Sequence, residues 1–426
     1  MPTRDSKGHW PFGRRRLSLT IPPKDYSMDA FKNLCTVGFL ARFSYALARN
    51  PVLPLFALFL GAGPEAIGLA VGISTVTGIF FKLPSGALSD VVGRRRTMLV
   101  GLLFFGMMPF FYLFISSYSA LIAVRFLHGL ATAIYGPVAM AVVAEVAGSR
   151  KGEMLSWFSS VGIIGTLLGA PLGGLILDLG HNGGPVLWQF RLVFAVSAVV
   201  GMAALVLGLR TLGIEEKVEP GLGFAMRIKR FGEGIREVLS DKRIVTASSM
   251  EGVQNMAMGA LEAFLPVYAV KVVGLSEFQA GLLWGAQIVV IMLSKPLMGR
   301  MSDSRGRRPL IVAGLVLCGA SFAAVPFMNG FWTLLAACLV FGMGEALVTS
   351  SSAAMVADLC RERHFGSAMG AFGTIFDVGH ASGPILAGLL VGWVGYSVSF
   401  PLMAAALFAA IPIFLVRVPR EEARAS

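Results

Sequence analysis

Twelve apolar stretches, near 34–60, 64–84, 97–116, 119–144, 154–179, 190–211, 244–270, 276–298, 309–328, 331–357, 365–391 and 397–417, dominate this chain of 426 residues. Each approaches the about 20 residues that a helix needs to cross the hydrocarbon core of a bilayer. With 55% of residues hydrophobic, 14% charged and a mean hydropathy of +0.73, the chain is too apolar for one or two soluble domains. Lipid offers no partner to backbone polar groups, so the stretches predict an all-α membrane protein of twelve transmembrane helices.

The net charge of +12 is unevenly spread. Of 36 Lys and Arg, 29 fall in the N-terminal segment, the even-numbered loops and the C-terminal tail, against two, Arg191 and Lys271, toward the opposite side. Such an excess marks the cytoplasmic face. Both termini and the central stretch 212–243 are therefore expected in the cytoplasm, where the basic charge meets anionic membrane lipids rather than nucleic acid. Arg14, Arg15 and Arg16 precede LSLTIPP, which is too short and proline-rich for a signal-peptide core. Cys35, Cys318, Cys338 and Cys360 lie in or beside spans without metal-ligand spacing. They read as packing residues, and no disulfide framework, metal site or cofactor is implied.

The chain is written twice. A shift of 213 residues sets Lys82 on Lys295, Gly86 on Gly299, Asp90 on Asp303, Gly93 on Gly306, and Arg94 and Arg95 on Arg307 and Arg308. The register continues through Gly101 and Gly314, Gly129 and Gly342, Glu145 and Asp358, Arg150 and Arg363, and Pro171 and Pro384. Each half has an even number of spans, so the copies insert in the same orientation, as two parallel six-helix repeats. The division expected is a cytoplasmic segment 1–33, bundles 34–211 and 244–417, a linker 212–243 and a tail 418–426. Within the linker, Pro220, Gly221 and Gly223 precede a basic amphipathic stretch, Arg227 to Arg243, expected to lie on the lipid surface.

Gly86-x-x-x-Asp90-x-x-Gly93-Arg94-Arg95 joins spans two and three, and Gly299-x-x-x-Asp303-x-x-Gly306-Arg307-Arg308 joins spans eight and nine. Both resemble the signature loop of the major facilitator superfamily, and the resemblance covers essentially the whole chain. A glycine lets a neighbouring helix approach closely, the carboxylate can face a helix N-terminus, and Gly93 permits a tight turn. The arginines can bind Glu145 or lipid phosphate. The resemblance implies that Asp90 meets the start of span eleven, near Phe365 to Ser367, and latches the cytoplasmic side. By the repeat, Asp303 is expected near Gly152 and Glu153. Read without the resemblance, the loops are topology signals only. In span four, Leu121-x-x-x-Arg125-x-x-His128-Gly129-x-x-x-Ala133 resembles a family pattern that usually has glutamine at the position of His128. In span five, Gly165-x-x-x-Gly169-Ala-Pro171-Leu-Gly173-Gly174 resembles the pattern of proton-coupled exporters, with Ala170 inserted. Small residues at this spacing also suit any close helix crossing.

An ionisable group inside a span costs about 2.5–3.5 kcal/mol on insertion scales and marks a candidate site. Spans three, six, nine and twelve carry none in their interiors and can face lipid. The charges gather on spans one (Arg42, Arg49), four (Arg125, His128), seven (Glu251, Glu262), ten (Glu345) and eleven (Asp377, His380). The family resemblance implies that spans one, four, seven and ten line a central cavity. Helical spacing puts Arg42, Tyr45 and Arg49 on one face, as it does Arg125, His128 and Thr132, and Glu345, Thr349 and Ser352. Arg49 and Glu262 are one repeat apart, and they are expected to pair either as an external gate or as a static ion pair. Glu251, Glu262, Glu345 and Asp377, with His128 and His380, are candidates to load and release protons.

The reading is a secondary transporter of a small molecule or ion, with rocking halves and proton antiport in the export direction, functional as a monomer in a bacterial cytoplasmic membrane or one derived from it. Uptake of an organic anion through Arg42, Arg49 and Arg125, or of a metal or iron species, is an alternative. A non-transporting sensor or scaffold is another. No GxxxxGK[ST] loop is present to bind ATP, and no nucleophile, base and metal cluster suggests an enzyme.

Overall fold

The structure is a computed structural model that describes residues 28–147, 150–180, 184–211, 232, 236, 240–360 and 365–418. Among these residues it is helical throughout. The first span is broken into α1 (Met28–Leu47) and α2 (Val52–Phe59) around Ala48–Pro51. The next five spans are α3 (Pro64–Val92), α4 (Arg94–Tyr112), α5 (Tyr118–Val146), α6 (Lys151–Leu177) and α7 (Leu187–Thr211). The second half repeats the series as α8 (Lys242–Lys271), α9 (Glu277–Arg305), α10 (Arg307–Ala324), α11 (Phe331–Leu359), α12 (Phe365–Val394) and α13 (Tyr396–Arg417). Twelve spans in two six-helix repeats result. Most of the linker 212–243 and of the N-terminal segment lies outside the described residues.

Among the described residues, nine helices are long and apolar enough to cross a membrane by length and composition alone. The other spans fall short for visible reasons. Span one is interrupted, α4 opens on Arg94, Arg95 and Arg96, and α8 carries Glu251, Gln254, Asn255 and Glu262. Their polar groups are instead accommodated by packing against other helices. Lipid faces are plain on α7, where Leu192, Val199 and Val206 are exposed while Phe194, Ser197, Gly201 and Leu205 are buried.

The signature segments are not loops. α3 and α9 continue to Val92 and Arg305, and one residue, Gly93 (φ 108°) or Gly306 (φ 89°), makes the whole turn before the next helix. A positive φ is easily adopted by glycine alone, which explains its place in both copies. The continuous helix sets Asp90 and Asp303 one turn before Arg94 and Arg307.

The core is joined on one side of the membrane and divided on the other. One apolar cluster runs from Leu47, Phe56, Ile67 and Phe194 in the first half to Phe264, Leu283, Phe341 and Leu407 in the second. These residues lie toward the external ends of their helices. Toward the cytoplasm each half has its own cluster, around Leu34, Leu102 and Val138 in the first and around Ile244, Leu315 and Phe414 in the second. The halves are therefore sealed externally and parted toward the cytoplasm.

Candidate functional site

The external seal is made twice, by small residues. A Cβ on Gly68 of α3 would stand 2.1 Å from the Pro384 carbonyl oxygen of α12, and one on Gly72 would stand 2.8 Å from that of Ala381. One repeat later, a Cβ on Gly281 of α9 would stand 2.8 Å from the Ala170 carbonyl oxygen of α6, and one on Gly285 would stand 3.0 Å from the Pro171 ring. The span-five pattern thus has two faces. Gly165, Gly169 and Gly173 lie against Phe39, Ala46 and Leu47 of α1, while Ala170, Pro171 and Gly174 meet α9. Close helix crossing accounts for these glycines without reference to export.

Below the seal, charged groups bridge the halves. Arg49 forms an ion pair with Glu262, and its Nη2 donates to Glu262 Oε2 at 2.9 Å. His380 Nε2 lies 3.2 Å from Arg49 Nη2 and 3.1 Å from Glu262 Oε2. The Glu262 side chain is 3% exposed, so its charge depends on these two partners. Nearer the cytoplasm, Lys82 Nζ donates to both carboxylate oxygens of Asp377, at 2.8 and 2.6 Å. For its repeat counterpart Lys295, Ile164 stands where Asp377 would map, and the Lys295 charge instead acts on Glu251 and Glu345 within its own half. Sequence reasoning aligned Lys82 with Lys295 but did not name it as a site residue. Its position inside an apolar span was the available signal.

The three arginines on spans one and four divide sharply. Arg125 is fully buried, donating to Ser74 Oγ at 2.7 Å, to the Tyr45 hydroxyl at 3.4 Å and to the Ala70 carbonyl at 3.4 Å. His128 is also fully buried, 2.9 Å from the Tyr112 hydroxyl and packed edge-on to the rings of Tyr45 and Phe105. It does not line an open cavity, because the neighbouring aromatic rings cover it. Arg42 alone is exposed, on the wall of a cavity of about 310 Å³ between α1, α5 and α6. It makes no ion pair or hydrogen bond to a described residue.

In the second half, Glu251 is fully buried and accepts from Asn255 Nδ2 at 3.3 Å. Glu345, on the adjacent α11, accepts from Gln287 Nε2 at 3.4 Å. Among the described residues no group of three or more His, Cys, Asp or Glu is placed to hold a metal ion.

The signature residues form two equivalent clusters. Arg94 lies 3.3 Å from Asp90 and 3.2 Å from Glu145. Arg307 pairs with Asp303 and lies 3.1 Å from Asp358. Arg95 and Arg308 donate to the Leu209 and Leu415 carbonyls at 3.2 and 2.6 Å. Each cluster ties spans two to four, or eight to ten, within its own half. The contact expected between Asp303 and the start of span five is not made. Gly152 has open space around it, Asp303 is 68% exposed, and Glu153 is held by Arg150 at 2.6 and 2.8 Å. The parted cytoplasmic side is the reason: the two elements stand on different halves. The matching contact of Asp90 involves side chains at 365–367, which lie outside the described residues, as does Arg363.

A family model described as Major Facilitator Superfamily matches residues 34–293 and 253–426. An uncharacterized MFS-type transporter of Methanocaldococcus jannaschii is 23% identical over 370 residues, covering 86% of this chain and 90% of that protein. The quinolone resistance protein NorA of Staphylococcus aureus is 21% identical, with 80% of this chain and 84% of that protein covered. The chromaffin granule amine transporter of Rattus norvegicus is 25% identical over 80% of this chain, which spans 64% of that longer protein. Among solved structures, the nucleoside transporter NupG matches with a TM-score of 0.75 at 13% identity, over 92% of this chain and all of that one.

Proposed function

Because the chain belongs to the Major Facilitator Superfamily, a family of membrane transporters rather than enzymes, we propose that it moves a small organic solute by alternating access. In this reading transport is coupled to protons and runs outward, across a bacterial cytoplasmic membrane or an internal membrane derived from it, with the monomer as the working unit. The bundles are 34–211 and 244–417. The observation that carries the reading is the bridge of Arg49, Glu262 and His380, which joins the halves beneath an external seal while the cytoplasmic side stands open.

Two opposite charges and an imidazole in contact form a site where a proton and a conformational change compete. Protonation of the carboxylate or the imidazole alters the attraction that holds the halves together. The buried Glu251 and the neighbouring Glu345 are a second acidic group for the coupling ion. The relatives named for amines and for quinolone resistance support an organic solute.

The test is flux in liposomes holding purified protein, with internal pH followed by a dye and a panel of organic amines and quinolones presented as solutes. Solute-dependent proton movement, lost in Glu262→Gln, is the expected result. Solute flux that ignores an imposed pH gradient defeats the coupling, and no flux of any solute favours the sensor or scaffold reading.

A further inference from the structure

We propose that Arg42 and Tyr135 form the anion-binding end of the solute site, and that the solute is a small amphipathic monocarboxylate. The inference rests on reading the cavity beside α1 as part of the transport path. Of the three arginines on spans one and four, Arg49 is neutralised by Glu262 and Arg125 is consumed by Ser74, Tyr45 and a backbone carbonyl. Arg42 remains, exposed on the cavity wall with all its donors unused by described residues.

A second polar residue lines the same space. The Tyr135 hydroxyl is buried, the residue being 3% exposed, and has no hydrogen-bond partner. Leaving such a group unpaired is unfavourable, and a bound acceptor relieves the cost. Gly38 provides the room. A Cβ there would stand 2.8 Å from the Phe158 ring and 3.5 Å from the Tyr135 hydroxyl.

The repeat adds an independent observation. Shifted by 213 residues, Gly38 falls on Glu251 and Arg42 on Asn255. In the second half the chain supplies its own carboxylate at this place, and Asn255 donates to it. In the first half a glycine replaces the carboxylate and an arginine replaces the amide. The same geometry then accepts a carboxylate from outside.

The ligand class follows from charge and volume. One guanidinium balances one negative charge and binds a carboxylate through two parallel N–H groups. A dianionic phosphate would be half neutralised. The cavity of about 310 Å³ is lined beyond Arg42 by Phe158, Met140 and Ile163, which suits an apolar body on the carboxylate.

Isothermal titration calorimetry on the purified full chain in detergent tests this, with 2-naphthoate, 2-naphthamide and 2-naphthylmethylammonium as matched probes. Saturable binding of naphthoate, about tenfold or more tighter than the other two, is expected. Arg42→Gln should weaken naphthoate at least about tenfold, Arg42→Lys less, and Tyr135→Phe several-fold, while Trp332→Phe, on an exposed helix start, changes nothing. Equal binding of the amide or the ammonium probe overturns the inference, as does unchanged affinity in Arg42→Gln. No heat from naphthoate with folded wild-type protein also overturns it. The probe comparison needs no variant, so misfolding of one does not blunt the test. Because binding is read without a gradient, failure of proton coupling in liposomes leaves this result standing, and the converse holds.

Discussion

Arg49 and Glu262 are 213 residues apart, one full repeat, and they form an ion pair with each other across the two halves of the molecule. Equivalent positions in the two copies can meet only near the axis that relates the halves. The pair therefore marks where the external seal begins, and it joins α8 to the break between α1 and α2.

Arg49→Ala is expected to destabilise the purified protein by up to about 3–5 kcal/mol, the penalty for removing one partner of a buried ion pair, moderated by the His380 ring that still touches Glu262. Glu262→Gln should cost less, because Arg49 is 25% exposed and can rehydrate. Thermal unfolding ranks the two. The exchange Arg49→Glu with Glu262→Arg should recover part of the transport lost in the singles, and failure to do so in liposomes counts against a pairing role.

The pair Lys82 and Asp377 should respond unequally. Asp377 is 8% exposed in its side chain and Lys82 is 43% exposed. Lys82→Ala therefore strands a buried charge, whereas Asp377→Asn leaves a lysine that can reach water. The first is predicted to lower stability by about 1–3 kcal/mol more than the second. Equal losses in chemical denaturation would show that burial is not what distinguishes them.

Gly68→Val should weaken the external seal, because even a Cβ would overlap the Pro384 carbonyl. The expected outcome is a population shift toward an outward-open form. Spin labels at Phe59→Cys and Val272→Cys, exposed positions one repeat apart, would report a longer distance in the variant. An unchanged distance distribution would mean that the helices adjust locally.

His128 and His380 should behave differently despite sharing a residue type. His128→Gln restores the residue usual in the span-four pattern and alters a site enclosed by aromatic rings, so the pH profile of transport should keep its shape. His380→Gln removes a ring in contact with both Arg49 and Glu262 and should shift or flatten that profile. Transport rates measured across pH 5–9 decide it.

Much of the architecture was legible in the residues. Apolar length specified the spans, Lys and Arg asymmetry their orientation, and the 213-residue register the two repeats, because each follows from the cost of placing a residue type in lipid or water. The same cost singled out Arg42, Arg49, Arg125, Glu251, Glu262, Glu345, Asp377 and His380 as groups needing an explanation.

Tertiary structure decided what each of them meets. Arg42, Arg49 and Arg125 are alike as letters on apolar helices, yet one is paired across the halves, one is consumed within its own half and one faces a cavity. The partner of Lys82, the Asp377 carboxylate, is set by the packing of α3 against α12, and the unpartnered hydroxyl of Tyr135 likewise exists only in the fold. Periodicity fixes which face of a helix a side chain occupies. The identity of the opposing face depends on how helices hundreds of residues apart cross, and on which side of the membrane the halves are closed.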